Sequence, residues 1–116
     1  VEGVFDRLAL LSAGMAAESV LALVGTAARP SWLRWLAPQL KSVVLALDAD
    51  CGGEEAMARL TDEFQQAGFA VSLCPPPHDR YGKDWSERWR RIGPQSVFPL
   101  YEALTRQQSG EIGGGR

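Results

Sequence analysis

Histidine occurs once in this sequence and cysteine twice, at Cys51 and Cys74, with no CxxC pair. A structural zinc site takes about four such ligands, so the chain builds none by itself. Two cysteines are also too few for a disulfide scaffold, and both are expected as free thiols of a reducing compartment. No apolar run approaches the roughly 20 residues of a membrane-spanning helix. The opening Val1-Glu2-Gly3-Val4 lacks the charged n-region of a secretory signal, so a cytoplasmic, nucleoid-associated setting without membrane contact is expected. There is no GxxxxGK[ST] phosphate loop, which excludes a helicase-type ATPase within the segment, and the lone His78 supports no Ser-His-Asp arrangement. Positive charge is not in excess either. Twelve Lys+Arg against fourteen Asp+Glu give a net charge of −2, with a pI near 5.3, whereas a simple basic nucleic-acid module has a pI above about 9.

The chain that remains has 116 residues, 46% hydrophobic and 22% charged, an ordinary mixture for one globular domain. Three short apolar runs, at 20–24, 43–47 and 69–74, are continuous rather than alternating, as strands buried on both faces of a parallel sheet are. Gly25 stops the first, Asp48 the second and the triple proline at 75–77 the third. Helical spacing fills the intervals. Residues 53–67 set Ala56, Met57, Leu60, Phe64 and Ala67 on one face, with Gly68 at the C-cap position. Further helices are expected over 5–13, 30–40, 84–91 and 95–107. The order predicts an α/β sheet with crossover connections. Glu2-Gly3 reads as a strand-to-helix turn with almost no strand before it, so the first strand is expected to be truncated. Residues 1–92 are expected to form the catalytic core, 93–108 a C-terminal helix, and the Gly-rich 109–116 a disordered tail.

In such sheets functional groups gather at the carboxyl ends of the strands, and here those ends are acidic. Asp48-Ala49-Asp50 follows the second apolar run. In extended chain, residues i and i+2 point the same way, roughly 7 Å apart, so the two carboxylates repel unless a cation lies between them. Oxygen-only ligands favour Mg²⁺ or Mn²⁺ over zinc. Glu2 stands at a second strand end, with Asp6 four residues on along the same helical face. Asp84, in Gly82-Lys83-Asp84-Trp85-Ser86-Glu87, is a third acidic point. It serves equally as a helix N-cap, with Glu87 completing a capping-box pattern.

With these residues in view, the chain resembles the Toprim domain of bacterial primases and primase-helicases, including those of phages and mobile elements. Glu2-Gly3-Val4-Phe5-Asp6 is similar to the family's EGxxD turn, and Leu23-Val24-Gly25-Thr26-Ala27 to its second strand and loop. Asp48-Ala49-Asp50-Cys51-Gly52-Gly53 is similar to its DxDxxG element, and Gly82 to Glu87 to the GKDxxE segment. The four motifs fall in family order between Val1 and about Arg91. The resemblance implies a Rossmann-like parallel sheet of about four strands with helices on both faces. It implies Glu2, Asp48 and Asp50 as catalytic residues, and Glu2, Asp48, Asp50, Asp6 and Asp84 as ligands of Mg²⁺ (or Mn²⁺). It further implies nucleotidyl transfer for RNA primer synthesis, with nucleoside triphosphates and a single-stranded DNA template as partners and a helicase or a flanking zinc-binding domain alongside. Where family members often carry a basic residue after the glycine of the DxD element, this chain has Glu54 and Glu55, acids that suit a first helical turn.

Lys83, Arg80 and Arg88 are the candidates for nucleotide or nucleic-acid contact. Trp85, Arg88, Trp89, Arg90 and Arg91 suggest either a base-stacking helix or an amphipathic helix with Trp85 and Trp89 packed against the sheet, the latter favoured. Trp32 and Trp35 are expected in core and surface packing, and His78 as an exposed bystander. Two bound Mg²⁺ would turn the net charge of −2 to about +2. Other readings stay open: a Toprim nuclease or topoisomerase component, for which Tyr81 and Tyr101 are poor nucleophiles; a DxD phosphatase, disfavoured because Asp48 follows two crossover units; and a non-catalytic scaffold binding DNA or a partner protein.

Overall fold

The computed structural model describes residues 1–24 and 30–108. The expected loop at 25–27 and the expected disordered tail at 109–116 lie outside them. The helices are α1 (Val4–Ser12), α2 (Pro30–Leu36), α3 (Cys51–Gln66), α4 (Trp85–Ile92) and α5 (Phe98–Gln108), and the strands are β1 (Ser42–Leu45) and β2 (Ala70–Leu73). A 3₁₀ turn, Ala17–Ser19, follows α1, and another, Gly93–Val97, precedes α5.

β1 and β2 pair in parallel, with Ser42 opposite Ala70 and Leu45 opposite Leu73. They are joined through α3, a βαβ crossover as the sequence predicts. Successive residues of β1 and its extension feed opposite faces. Val43, Leu45 and Leu47 pack with Ala56, Met57, Leu60 and Phe64 of α3 and with Phe69. Val44 and Ala46 pack with Leu10 of α1, Trp85 of α4, Val97 and Leu100. Helices therefore cover both faces, which is why the strands carry unbroken apolar runs.

Among the described residues the sheet has two strands rather than about four. The other expected pair is there in reduced form. Val1 N donates to Leu21 O at 3.0 Å, and Leu23 N and Val24 N donate to Val1 O and Glu2 O, each at 2.9 Å. This same-direction pairing spans only the two residues ahead of Gly3, the N-cap of α1, and is too short to count as a strand. The run expected over 20–24 ends at Val24, whose φ of +53° leaves the extended region.

α2 stops at Leu36, short of the expected residue 40, because a residue before proline, here Ala37 before Pro38, disfavours helix. The C-terminal helix starts at Phe98 rather than near 95, after a 3₁₀ turn containing Pro94. Its Leu100 joins the core with Trp85, and Gln107 Nε2 donates to Val43 O and Ser72 Oγ, each at 2.9 Å, clasping the two strands. Trp32 and Trp35 are both exposed, at 57% and 81%, so neither is a core residue, and Leu33 supplies the contact with the core instead. Cys51 and Cys74 are free thiols.

Candidate functional site

β1 runs through buried Ala46 and Leu47 into Asp48, and α3 begins three residues later. Gly53 in the first turn of α3 lies against that crossing. A Cβ there would stand 2.0 Å from the carbonyl oxygen of Asp48, closer than any side chain tolerates. The glycine of DxDxxG is thus the residue that lets the helix approach the strand end.

Asp48 and Asp50 meet opposite environments. Asp50 caps α3, its Oδ1 accepting from Gly53 N at 2.8 Å, and its Oδ2 lies 3.4 Å from Lys83 Nζ. The Gly53 N–H, and secondarily Lys83, hold its pKa below the ordinary carboxylate value. Asp48 Oδ1 is buried with no hydrogen-bond partner among the described residues. Burial first, then the charges of Glu2, Asp6, Asp84 and Asp50, raise its pKa from 3.8 to about 7. A half-buried carboxylate with one oxygen unpartnered and acids around it favours either a proton or a cation.

Asp6 and Asp84, from two of the other motifs, accept backbone N–H groups. Asp6, 5% exposed, accepts from Gly3 N at 3.2 Å and from Ser86 N at 3.0 Å, one on each oxygen, tying the start of α1 to the start of α4. Asp84 caps α4, its Oδ1 accepting from Glu87 N at 2.7 Å and Ser86 Oγ at 2.9 Å. The reciprocal half of the expected capping box is not made. Glu87 instead pairs with Arg91 at 3.1 Å and lies over Gly82, where φ is +129° and a Cβ would fall 2.7 Å from the carboxyl group. Gly82 and Glu87 of the GKDxxE segment therefore fit each other sterically.

The DxD turn and this segment are stapled together. Ala49 N donates to Lys83 O at 2.7 Å, and the fully buried Trp85 donates its Nε1–H to Ala46 O at 3.0 Å. The packed alternative for Trp85 is the one observed. Lys83 and Arg80 are exposed and line an open cavity of about 310 Å³ with His78, Asp79, Gly82 and Glu87. Arg88, expected to meet nucleic acid, lies inward against Asp79. It is 4% exposed, and its Nη1 lies 2.7 and 2.8 Å from the two carboxylate oxygens of Asp79, so it anchors the loop before Gly82. Its place three residues after Trp85, on the same helical face, was a signal for this inward position. No local pattern in the loop marks Asp79 as the partner of Arg88. Trp89 and Arg90 line a second cavity, about 430 Å³, with Phe5 and Leu8 of α1.

As placed, no three His, Cys, Asp or Glu side chains among the described residues form a ring that could hold a metal ion. The donor set nevertheless suits Mg²⁺, which keeps several waters and binds through one or two carboxylates completed by substrate phosphates. The unpartnered oxygen of Asp48 is the position such an ion would satisfy. No helix among the described residues is long and apolar enough to cross a membrane.

Residues 1–89 match the family described as Toprim-like. The chain is 38% identical over 100 residues to a DNA primase of Mycoplasma pneumoniae, an alignment covering 84% of this chain and 16% of the relative. It is 32% identical over 102 residues to a DNA primase of Clostridium acetobutylicum, covering 88% and 16%. A third DNA primase, of Mycoplasma genitalium, is 28% identical over 98 residues, covering 84% and 16%. The chain thus spans about one sixth of the length of these curated relatives. No solved structure matches.

Proposed function

The chain belongs to the Toprim-like family, and from that premise we propose that it is the Mg²⁺-dependent nucleotidyl-transfer segment of a primase-type protein, joining nucleoside triphosphates on a single-stranded DNA template in the cytoplasm. The observation that carries the reading is Asp48, its Oδ1 buried without a partner and its charge opposed by Glu2, Asp6, Asp84 and Asp50. Asp48 and Asp50 would hold the ion, with Glu2 as a third ligand or as general acid or base. Held by those residues, Mg²⁺ (or Mn²⁺) would supply charge stabilisation for phosphodiester formation. Asp6 fixes α1 against α4 by its two backbone bonds, and Asp84 orders the loop carrying Lys83 by capping α4. Lys83 and Arg80, on the open cavity, would take the phosphates. In the full-length protein, Asp48→Asn and Asp50→Asn are expected to abolish primer synthesis while leaving cooperative unfolding intact, and unchanged synthesis in either overturns the reading.

One observation favours a second reading, a scaffold that binds DNA or a protein without chemistry: the absence of a three-ligand ring among the described residues. Primer synthesis by the unaltered protein, abolished by those substitutions, would exclude it.

A further inference from the structure

We propose that Lys83 is the resident counter-ion of Asp50, displaced when a divalent cation binds, so that loading the ion releases its ammonium toward a phosphate. The inference rests on the metal reading above and concerns how the site fills.

Both oxygens of Asp50 are already in use. Oδ1 accepts the Gly53 N–H at 2.8 Å and closes the N-terminus of α3, so giving it up would uncap the helix. Oδ2 faces Lys83 Nζ at 3.4 Å. An ion that takes Asp50 as a ligand on the side away from the α3 cap meets Oδ2, where its double charge repels the Lys83 ammonium 3.4 Å from that oxygen. The exchange is mechanically simple because Lys83 is fixed at one end only. Its carbonyl is held by Ala49 N at 2.7 Å, while its side chain is 61% exposed and ends in a compact ammonium on a flexible stem.

A new place for that ammonium lies alongside. The cavity of about 310 Å³ is lined by Lys83 itself together with Arg80, His78, Asp79 and Glu87. Asp79 is engaged by Arg88 and Glu87 by Arg91, which offsets the two acids. A phosphate group entering there meets Arg80 at once and Lys83 only after Asp50 has released it. Ion and phosphate therefore favour one another, each raising the affinity for the other by the same factor. The ion also removes like-charge repulsion at the unpartnered oxygen of Asp48, a gain that the lone ammonium beside Asp50 does not supply.

The test uses Mn²⁺ alone, titrated into the full-length protein and followed by the electron paramagnetic resonance of the free ion. Lys83→Gln removes the competitor and is expected to tighten Mn²⁺ binding about 2–5-fold, the range set by an exposed ion pair. Lys83→Arg keeps a cation and is expected to bind as the unaltered protein does. A second measurement follows acylation of Lys83 by an amine reagent, read by mass spectrometry. Mg²⁺ is expected to speed it several-fold in the unaltered protein but not in Asp50→Asn, where Lys83 is already released. Equal or weaker Mn²⁺ binding by Lys83→Gln, with binding intact in the unaltered protein, overturns the exchange and leaves the metal reading standing. No Mn²⁺ binding by any form overturns both.

Discussion

On the α3 side of the sheet the buried cluster is made of Leu, Ala, Met and Phe side chains. On the α1, α4 and α5 side, elements packed around Trp85 and Leu10 also bury a carboxylate, Asp6, a guanidinium, Arg88, and a hydroxyl, Ser96. Polar groups taken from water are costly unless bonded, and Asp6 meets that condition with two backbone N–H groups. The comparison separates two tasks. The α3 face supplies hydrophobic stabilisation and little else, whereas the opposite face uses part of its interior to fix where acids from distant segments stand.

The largest break in the comparison is expected from truncating the centre of each face. Trp85→Ala and Leu60→Ala each remove a fully buried side chain, at about 3–5 and 2–5 kcal/mol respectively. Leu60→Ala should leave Mn²⁺ affinity unchanged in whatever fraction remains folded. Trp85→Ala should weaken it as well, because the Ala46 carbonyl loses its Nε1–H partner just ahead of Asp48. Urea unfolding paired with Mn²⁺ titration checks both, and equal effects on affinity would erase the distinction between the faces.

Gly53→Ala comes next. It forces α3 away from the Asp48 carbonyl, which stands 2.0 Å from the new Cβ, and a cost of about 2–3 kcal/mol is expected in urea unfolding, in line with overpacking elsewhere. A neutral result would mean that the helix start yields without strain.

The smallest effect is the pH dependence of the metal-free protein. Asp48 has a folded pKa of about 7, above its ordinary 3.8, so the folded state binds this proton more tightly. The stability it contributes is fully present below about pH 4 and is lost as pH rises through 7. Discounted for partial exposure, the loss is about 2 kcal/mol. Asp50 and Asp79, whose pKa values are lowered, act in the opposite sense, so the difference between the unaltered protein and Asp48→Asn isolates the Asp48 part. Urea unfolding in EDTA at pH 4.5 and 7.5 should show a larger decline with pH, or a smaller rise, for the unaltered protein than for Asp48→Asn, and parallel curves would count against the crowding of acids around Asp48.

The α3 face was legible in the sequence because its signals are periodic. The spacing of Ala56, Met57, Leu60 and Phe64 marks the inward stripe, and the run at 43–47 marks a strand covered on both sides. The motif acids were legible one by one, Asp48 and Asp50 as a DxD pair at a strand end and Asp84 as a helix N-cap, whereas the capping of α3 by Asp50 emerges only in the structure. Their mutual arrangement was not. Asp6 meets Ser86 across 80 residues of chain, and Arg88 turns inward to an Asp79 that no helical or strand period singles out. Such pairings arise only once the elements pack. The truncation expected of the first strand at Glu2-Gly3 is what the structure shows. A ladder needs several residues on each side, and here two of them precede the N-cap of α1.

The bond from Ala49 N to Lys83 O has a practical consequence. Ala49 lies outside any helix or strand, where an amide would ordinarily trade its hydrogen for deuterium at once. This one is shielded only while the two loops stay docked, so its exchange rate is a built-in gauge of whether the rim is assembled, readable in any variant without an attached probe.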